Sequence, residues 1–164
     1  MEFKDIFSQR LQTLRKSAGE NQEALGAVIG IGKTGVSEME NGRKTTTAEK
    51  IALICRHYNV TADYLLGLTD CPRPLNGEEP VNRDVNREVF GARLRELRNE
   101  KKETQRDLAD FLGVKQNQVG EMENGRKAST FAKLAMLCEH YNVSADYLLG
   151  LTDERRSLRK GEAL

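Results

Sequence analysis

The sequence predicts an all-α protein built as two tandem copies of one small helical domain. Three observations carry that prediction. The first is a repeat: Glu38-Met39-Glu40-Asn41-Gly42-Arg43-Lys44 returns letter for letter as Glu121-Met122-Glu123-Asn124-Gly125-Arg126-Lys127. The offset of 83 residues (121 − 38) holds without a gap from Phe7 on Phe90 to Asp70 on Asp153, and 34 of those 64 positions are identical. A repeat of that length, present twice, is a duplicated domain and not a solenoid unit. The second is period. Phe7, Leu11 and Leu14 are spaced i, i+4, i+7, as are Phe90, Leu94 and Leu97, which is one face of a helix. The third is punctuation: Gly and Asn-Gly signals separate the short apolar runs, and all three prolines (Pro72, Pro74, Pro80) fall between the copies. The expected boundaries are a first domain over 1–70, a linker over 71–86, a second domain over 87–153 and a basic tail over 154–164, which is expected to fray.

The bulk properties narrow the function. Charged residues make up 31% and mean hydropathy is −0.63; no apolar run is long enough to span a membrane. The N-terminus, Met1-Glu2-Phe3-Lys4-Asp5, lacks an apolar signal core. Of the three cysteines, Cys55 and Cys138 are repeat equivalents on an apolar stripe and read as buried free thiols. No Cys/His spacing suits zinc, no cofactor is implied, and a reducing cytoplasm is the expected location. Net charge is only +1, so any nucleic-acid affinity must come from where charges sit and not from their sum. No Ser/His/Asp or paired-carboxylate arrangement points to an enzyme. Gly32-Lys33-Thr34 ends like a phosphate loop, but the glycine required five residues earlier is Ala27.

Each copy reads as five elements. A helix over 3–17 opens the first. A short helix follows, capped by Asn21 with Leu25, Val28 and Ile29 along one face; in the second copy Thr104 caps it, with Asp107 completing a capping box and Leu108, Phe111 and Leu112 on the face. Gly30 and Gly113 stand where a left-handed residue ends a helix. A third helix begins two residues later, and only Val36 and Met39, or Val119 and Met122, point inward. Asn41-Gly42 and Asn124-Gly125 break it. The fourth carries Ile51, Ile54, Cys55 and Tyr58, or Leu134, Leu137, Cys138 and Tyr141, with Thr46 and Glu49 expected to cap the first. Thr61 and Ser144 cap a last short helix, whose Tyr-Leu-Leu-Gly-Leu closes each core. His57 and His140 are expected to cap carbonyls, and Arg83, Asp84 and Arg87 to be solvated linker charge.

Two short helices joined tightly, the second burying only two residues, form a helix-turn-helix. Its outward side chains have a chemistry. Gln116, Asn117 and Gln118 suit base edges, since Gln and Asn bond adenine bidentately, and Glu121 could accept from cytosine. Arg126 and Lys127, and their equivalents Arg43 and Lys44, suit phosphates, as does Lys115. Gln22 and Gln105 stand at helix N-termini, where free backbone N–H groups favour phosphate.

Over residues 7–70 and 90–153 each copy resembles the lambda-repressor/Cro (XRE) family of helix-turn-helix domains. The resemblance rests on Leu14-Arg15 and Leu97-Arg98, on Thr104-Gln105, on Glu-Asn-Gly-Arg, and on the closing Asp-Tyr-Leu-Leu-Gly. It implies two five-helix domains, a third helix in the major groove, and a double-stranded DNA operator as partner. It implies base contacts from Gln116, Asn117 and Glu121 and phosphate contacts from Gln105 and Asn124, hence also Asn41. It also implies ion pairs Arg15–Glu40 and Arg98–Glu123.

The first copy departs from the pattern. Asn21 replaces the usual Thr, the second helix and turn are glycine-rich, and the outward positions Lys33, Thr34, Ser37 and Glu38 offer fewer amides. It reads a different half-site, or reads DNA poorly as part of an antitoxin-like protein-interaction module. A linker of about 16 residues reaches roughly 50 Å, so one chain acting as a pseudo-dimer is possible beside a homodimer.

Overall fold

The computed structural model describes residues 2–73, 83–127 and 129–157. Those residues form ten helices and no strand, and the chain divides into two compact units, Met1–Asn82 and Arg83–Leu164. No helix among them is long and apolar enough to cross a membrane.

The first unit contains α1 (Phe3–Ser17), α2 (Gln22–Ile29), α3 (Lys33–Glu40), α4 (Ala48–Tyr58) and α5 (Ala62–Leu65). The second contains α6 (Arg87–Glu100), α7 (Gln105–Leu112), α8 (Gln116–Glu123), α9 (Phe131–Tyr141) and α10 (Ala145–Leu148). Local chemistry sets these limits. Asn21 Oδ1 accepts from the Ala24 N–H at 2.8 Å. Thr104 and Asp107 form a reciprocal capping box, 3.1 and 2.9 Å. Gly30 and Gly113 end α2 and α7 at φ 73° and 70°, a region that costs a residue with a Cβ about 1–2 kcal/mol. The α4 cap is Thr47 and not Thr46: its Oγ1 accepts from the Lys50 N–H at 3.4 Å.

Each core lies where the long first helix, the two short helices and the fourth helix converge. Phe7, Leu11, Leu25, Val36, Ile51, Ile54 and Leu65 are fully buried in the first unit; Leu94, Leu108, Val119, Leu137 and Leu148 are their counterparts in the second. Cys55 and Cys138 are buried free thiols. Val28 and Phe111, expected on the inner face, turn outward at 39% and 42% exposure. The stripe of an eight-residue helix holds one residue fewer than the pattern suggested. Phe111 instead stacks on His140, ring centroids 4.1 Å apart.

Glycine placement makes the two units differ. A Cβ at Gly91 would lie 2.4 Å from the Glu123 carbonyl oxygen and 2.5 Å from that of Met122. Helix α6 thus meets the end of α8 backbone to backbone. The equivalent residue in α1 is Ser8, whose Oγ donates to the Lys4 carbonyl at 2.8 Å.

The expected linker and tail are partly drawn into the units. The Thr61 N–H donates to the Pro72 carbonyl at 2.9 Å, and the Ser144 N–H to the Arg156 carbonyl at 3.0 Å. Arg83 is paired: Nη1 lies 3.1 Å from Asp153 Oδ1. Asn86 caps α6. Within the tail Arg155 holds Glu100 with two bonds of 2.9 and 2.7 Å; Pro74, Pro80 and residues 158–164 lie outside the described residues.

Candidate nucleic-acid interface

The short helix pairs α2–α3 and α7–α8 are each held by one buried carboxylate. In the first unit Arg15 donates to Glu40 through Nε (2.5 Å) and Nη2 (3.0 Å), and Gln22 Nε2 donates to Glu40 Oε2 at 2.9 Å. In the second, Arg98 reaches Glu123 at 2.6 and 3.3 Å, and Gln105 at 2.9 Å. Arg15 and Arg98 also donate to the carbonyls of Glu20 and Glu103, 2.7 and 2.8 Å. One carboxylate therefore ties the first helix, the start of the second and the end of the third. The carboxylate side chains of Glu40 and Glu123 are 1% and 0% exposed. Burial pushes both carboxyls up, but the arginine and glutamine hydrogen bonds outweigh it and hold both below the usual glutamate value. A bidentate pair with its remaining lone pair satisfied is the geometry that makes a buried charge tolerable.

This lock leaves one face of α3 and α8 outward. Lys33 and Thr34 are exposed and Ser37 and Glu38 half-buried; Gln116 and Asn117 are exposed. Gln118 folds back, its Oε1 accepting from the Lys115 N–H at 3.0 Å, so its amide N–H groups and one lone pair are left for a partner. Lys115 itself is exposed at the α8 N-cap. Glu38 and Glu121 are engaged by the lysines beyond the turn: Lys44 Nζ is 2.6 Å from Glu38 Oε2, and Lys127 Nζ 3.0 Å from Glu121 Oε2. For Glu121 to accept from a base, Lys127 has to leave it, and a phosphate is the natural destination of that ammonium. Arg43 and Arg126 are exposed beside these pairs. Gln22 and Gln105 spend one amide N–H on the lock and keep the second.

Asn41 and Asn124 are both exposed at the helix ends but are held differently. Asn41 Nδ2 donates to Ser37 Oγ at 3.3 Å, whereas Asn124 Oδ1 accepts from Arg95 Nη2 at 2.9 Å.

Sequence reasoning missed two groups. Arg10 and Arg93 stack over Tyr64 and Tyr147, 4.2 and 4.1 Å to the ring centroids. Both donate to the carbonyls of those tyrosines and to Asp70 and Asp153, at 2.8 and 3.0 Å for the carboxylates. The second group corrects the histidines. Among the described residues His57 and His140 cap no carbonyl: their Nε2 atoms lie 2.5 and 2.7 Å from Glu20 and Glu103. Tyr58 and Tyr141 donate to the same carboxylates at 2.7 and 2.8 Å. Burial together with that bond drives the Tyr141 phenol strongly upward. The signal was present, since all of these polar residues are identical between the copies although none lies on the outward face.

Comparison with known proteins agrees with this geometry. The helix-turn-helix family model matches twice, over residues 11–65 and 94–148. A Bacillus subtilis (strain 168) protein named as an HTH-type transcriptional regulator, YobD, is 39% identical over 69 residues, 42% of this chain and 62% of that protein. The HTH-type transcriptional regulator PrpR of Mycobacterium tuberculosis is 38% identical over 76 residues, 46% of this chain and 16% of its own length. An SPbeta prophage-derived HTH-type regulator, YonR, also of Bacillus subtilis (strain 168), is 36% identical over 61 residues, 37% of this chain and 56% of its own. The chain spans less than two thirds of each of these relatives. A doubled family match on two all-helical units with matching helix-turn-helix geometry has one reading: the chain belongs, in both of its halves, to the XRE-type, lambda-repressor-like family of DNA-binding helix-turn-helix domains.

Proposed function

We propose that the chain is a sequence-specific DNA-binding transcriptional regulator, acting in the cytoplasm as a repressor by occupying an operator. The observation that carries this is the lock on α8. Glu123 fixes the helix from behind while Gln116 and Asn117 stay exposed and Arg126 and Lys127 flank them. A rigid helix with free amides in front and cations at its end suits a major groove. In this reading Gln116, Asn117, Gln118 and Glu121 read bases, as Lys33, Thr34, Ser37 and Glu38 do more weakly in the first unit. Phosphates are met by Lys115, Arg126, Lys127, Asn124 and Gln105, and by Arg43, Lys44, Asn41 and Gln22.

The two recognition helices are unlike, so the operator is asymmetric, with two different half-sites about one helical turn apart. Selection of bound sequences from a random DNA pool tests the reading. Two unlike half-sites with one chain per duplex by light scattering support it. A palindrome bearing two chains replaces the pseudo-dimer with a homodimer that reads through α8 alone. Failure to enrich any sequence overturns specific recognition.

One observation favours a second reading, a protein-interaction module. The outer face of α2 carries Ala24, Ala27 and the exposed Val28, where α7 carries Asp107, Asp110 and Phe111. A salt series separates the two, because phosphate contacts impose a steep log–log slope and protein partners do not.

A further inference from the structure

We propose that Arg95 is a DNA-backbone anchor of the second unit, acting both through Asn124 and by its own charge, and that the first unit lacks this anchor. The proposal rests on the DNA-binding reading and adds a residue to it.

Charge balance gives the first argument. Glu123 is already neutralised by Arg98, through bonds of 2.6 and 3.3 Å. Arg95 Nε approaches the same carboxylate at 3.4 Å, with its side chain 48% exposed. Two guanidinium groups on one carboxylate leave a positive charge in excess at the surface. The equivalent of Arg95 in the first unit is Gln12, which hydrogen-bonds Glu40 without adding charge. The cluster there is neutral. Arg95 is therefore surplus to the lock, which closes without a second arginine in the other copy.

Geometry gives the second. Arg95 Nη2 donates to Asn124 Oδ1 at 2.9 Å. A guanidinium only donates, so this bond engages the amide oxygen and leaves the Nδ2 N–H bonds to donate elsewhere. Those are the donors a phosphate oxygen requires. In the first unit Ser37 takes an N–H of Asn41 at 3.3 Å, and in the second the equivalent residue is Gly120, which has no side chain to compete. The changes at Gln12/Arg95 and Ser37/Gly120 thus act in one direction. The Arg95 Nη1 amino group has no partner among the described residues and remains for a second phosphate oxygen.

The test measures binding of the full chain to two duplexes, one selected from a random pool and one of mixed sequence, over a series of salt concentrations. Arg95→Gln, the first unit's residue, is expected to weaken both alike and to flatten the log–log salt slope by about one unit, which is about eightfold at 0.1 M salt. Arg95→Lys is expected to keep the slope, since it keeps the charge, and serves also if Arg95→Gln melts early. Asn124→Ala is expected to cost less in the Arg95→Gln background than in the wild-type chain. An unchanged slope in Arg95→Gln overturns the anchor, and strictly additive losses overturn its action through Asn124. A wild-type chain that binds neither duplex overturns the proposed function itself, a result distinguishable from either.

Discussion

Glu123→Ala is the sharpest test of how this fold holds its recognition helix. The substitution removes the acceptor for Arg98 (2.6 and 3.3 Å), for Gln105 (2.9 Å) and for Arg95 (3.4 Å) in one step. Arg98, only 12% exposed, is left as a buried cation with the Glu103 carbonyl as its main remaining acceptor. Leaving one partner of such a pair uncompensated costs about 3–5 kcal/mol. A unit of about 75 residues has about 4–11 kcal/mol in total, so the loss is about a quarter of its stability or more. At about 4–8 °C per kcal/mol for a domain of this size, melting falls by about 12 °C or more. Calorimetry on the full chain is the assay, with Glu40→Ala as the mirror experiment that identifies which transition belongs to which unit. Replacing both charges, Arg98→Met with Glu123→Leu, is expected to recover part of the loss, because no unpaired charge then stays buried. If the second unit melts unchanged in Glu123→Ala, the carboxylate is not what joins α6, α7 and α8, and the reasoning from the lock to a rigid recognition helix fails.

Four further outcomes are expected. Gly91→Ser, which copies Ser8 of the first unit, sets a Cβ against two backbone carbonyls and is expected to cost about 2 kcal/mol or more in urea unfolding; a neutral result means α6 can retreat from α8 freely. Lys102→Gly is expected to stabilise the second unit by about 1 kcal/mol, since Lys102 holds φ 56° where the first unit has Gly19 at 71°, and no gain in melting temperature refutes it. Gln116→Ala is expected to lose about 1–3 kcal/mol on the selected duplex and far less on mixed sequence, while Arg126→Ala loses equally on both; equal losses for Gln116→Ala remove it from the base-reading set. In acid, the carboxyls of Glu20, Glu40 and Glu123 are all held below the usual glutamate value in the folded chain. Their stabilisation is complete above the unfolded value and is lost as pH falls through the lower folded values. Melting temperature should hold down to about pH 4.5 and drop below it, and a flat profile to pH 2 refutes that account.

Much of this molecule is local in origin and was therefore legible in the sequence. Helix limits follow from capping side chains and left-handed glycines within three or four residues of the group they serve, as at Asn21, Thr104, Gly30 and Gly113. The buried faces follow from the helical period. The duplication follows from identity at a fixed offset. Where the local reading slipped, it slipped by one residue at a cap (Thr47 for Thr46) or at the margin of a short stripe (Val28, Phe111); the roles misread at His57, His140 and Arg83 depend on partners 37 to 70 residues away.

What the tertiary structure alone decided concerns side chains whose partners are far along the chain. Nothing local distinguishes Arg95 from any exposed helical arginine; its meaning comes from Glu123 and Asn124, 28 and 29 residues away. Glu103 is an unremarked loop carboxylate until His140 and Tyr141, 37 and 38 residues on, close upon it. In each case one sequence permits several pairings, and the packing of the helices selects among them. A charge takes whichever partner the fold brings within about 3–4 Å, and that distance is set by helix crossing and not by sequence spacing.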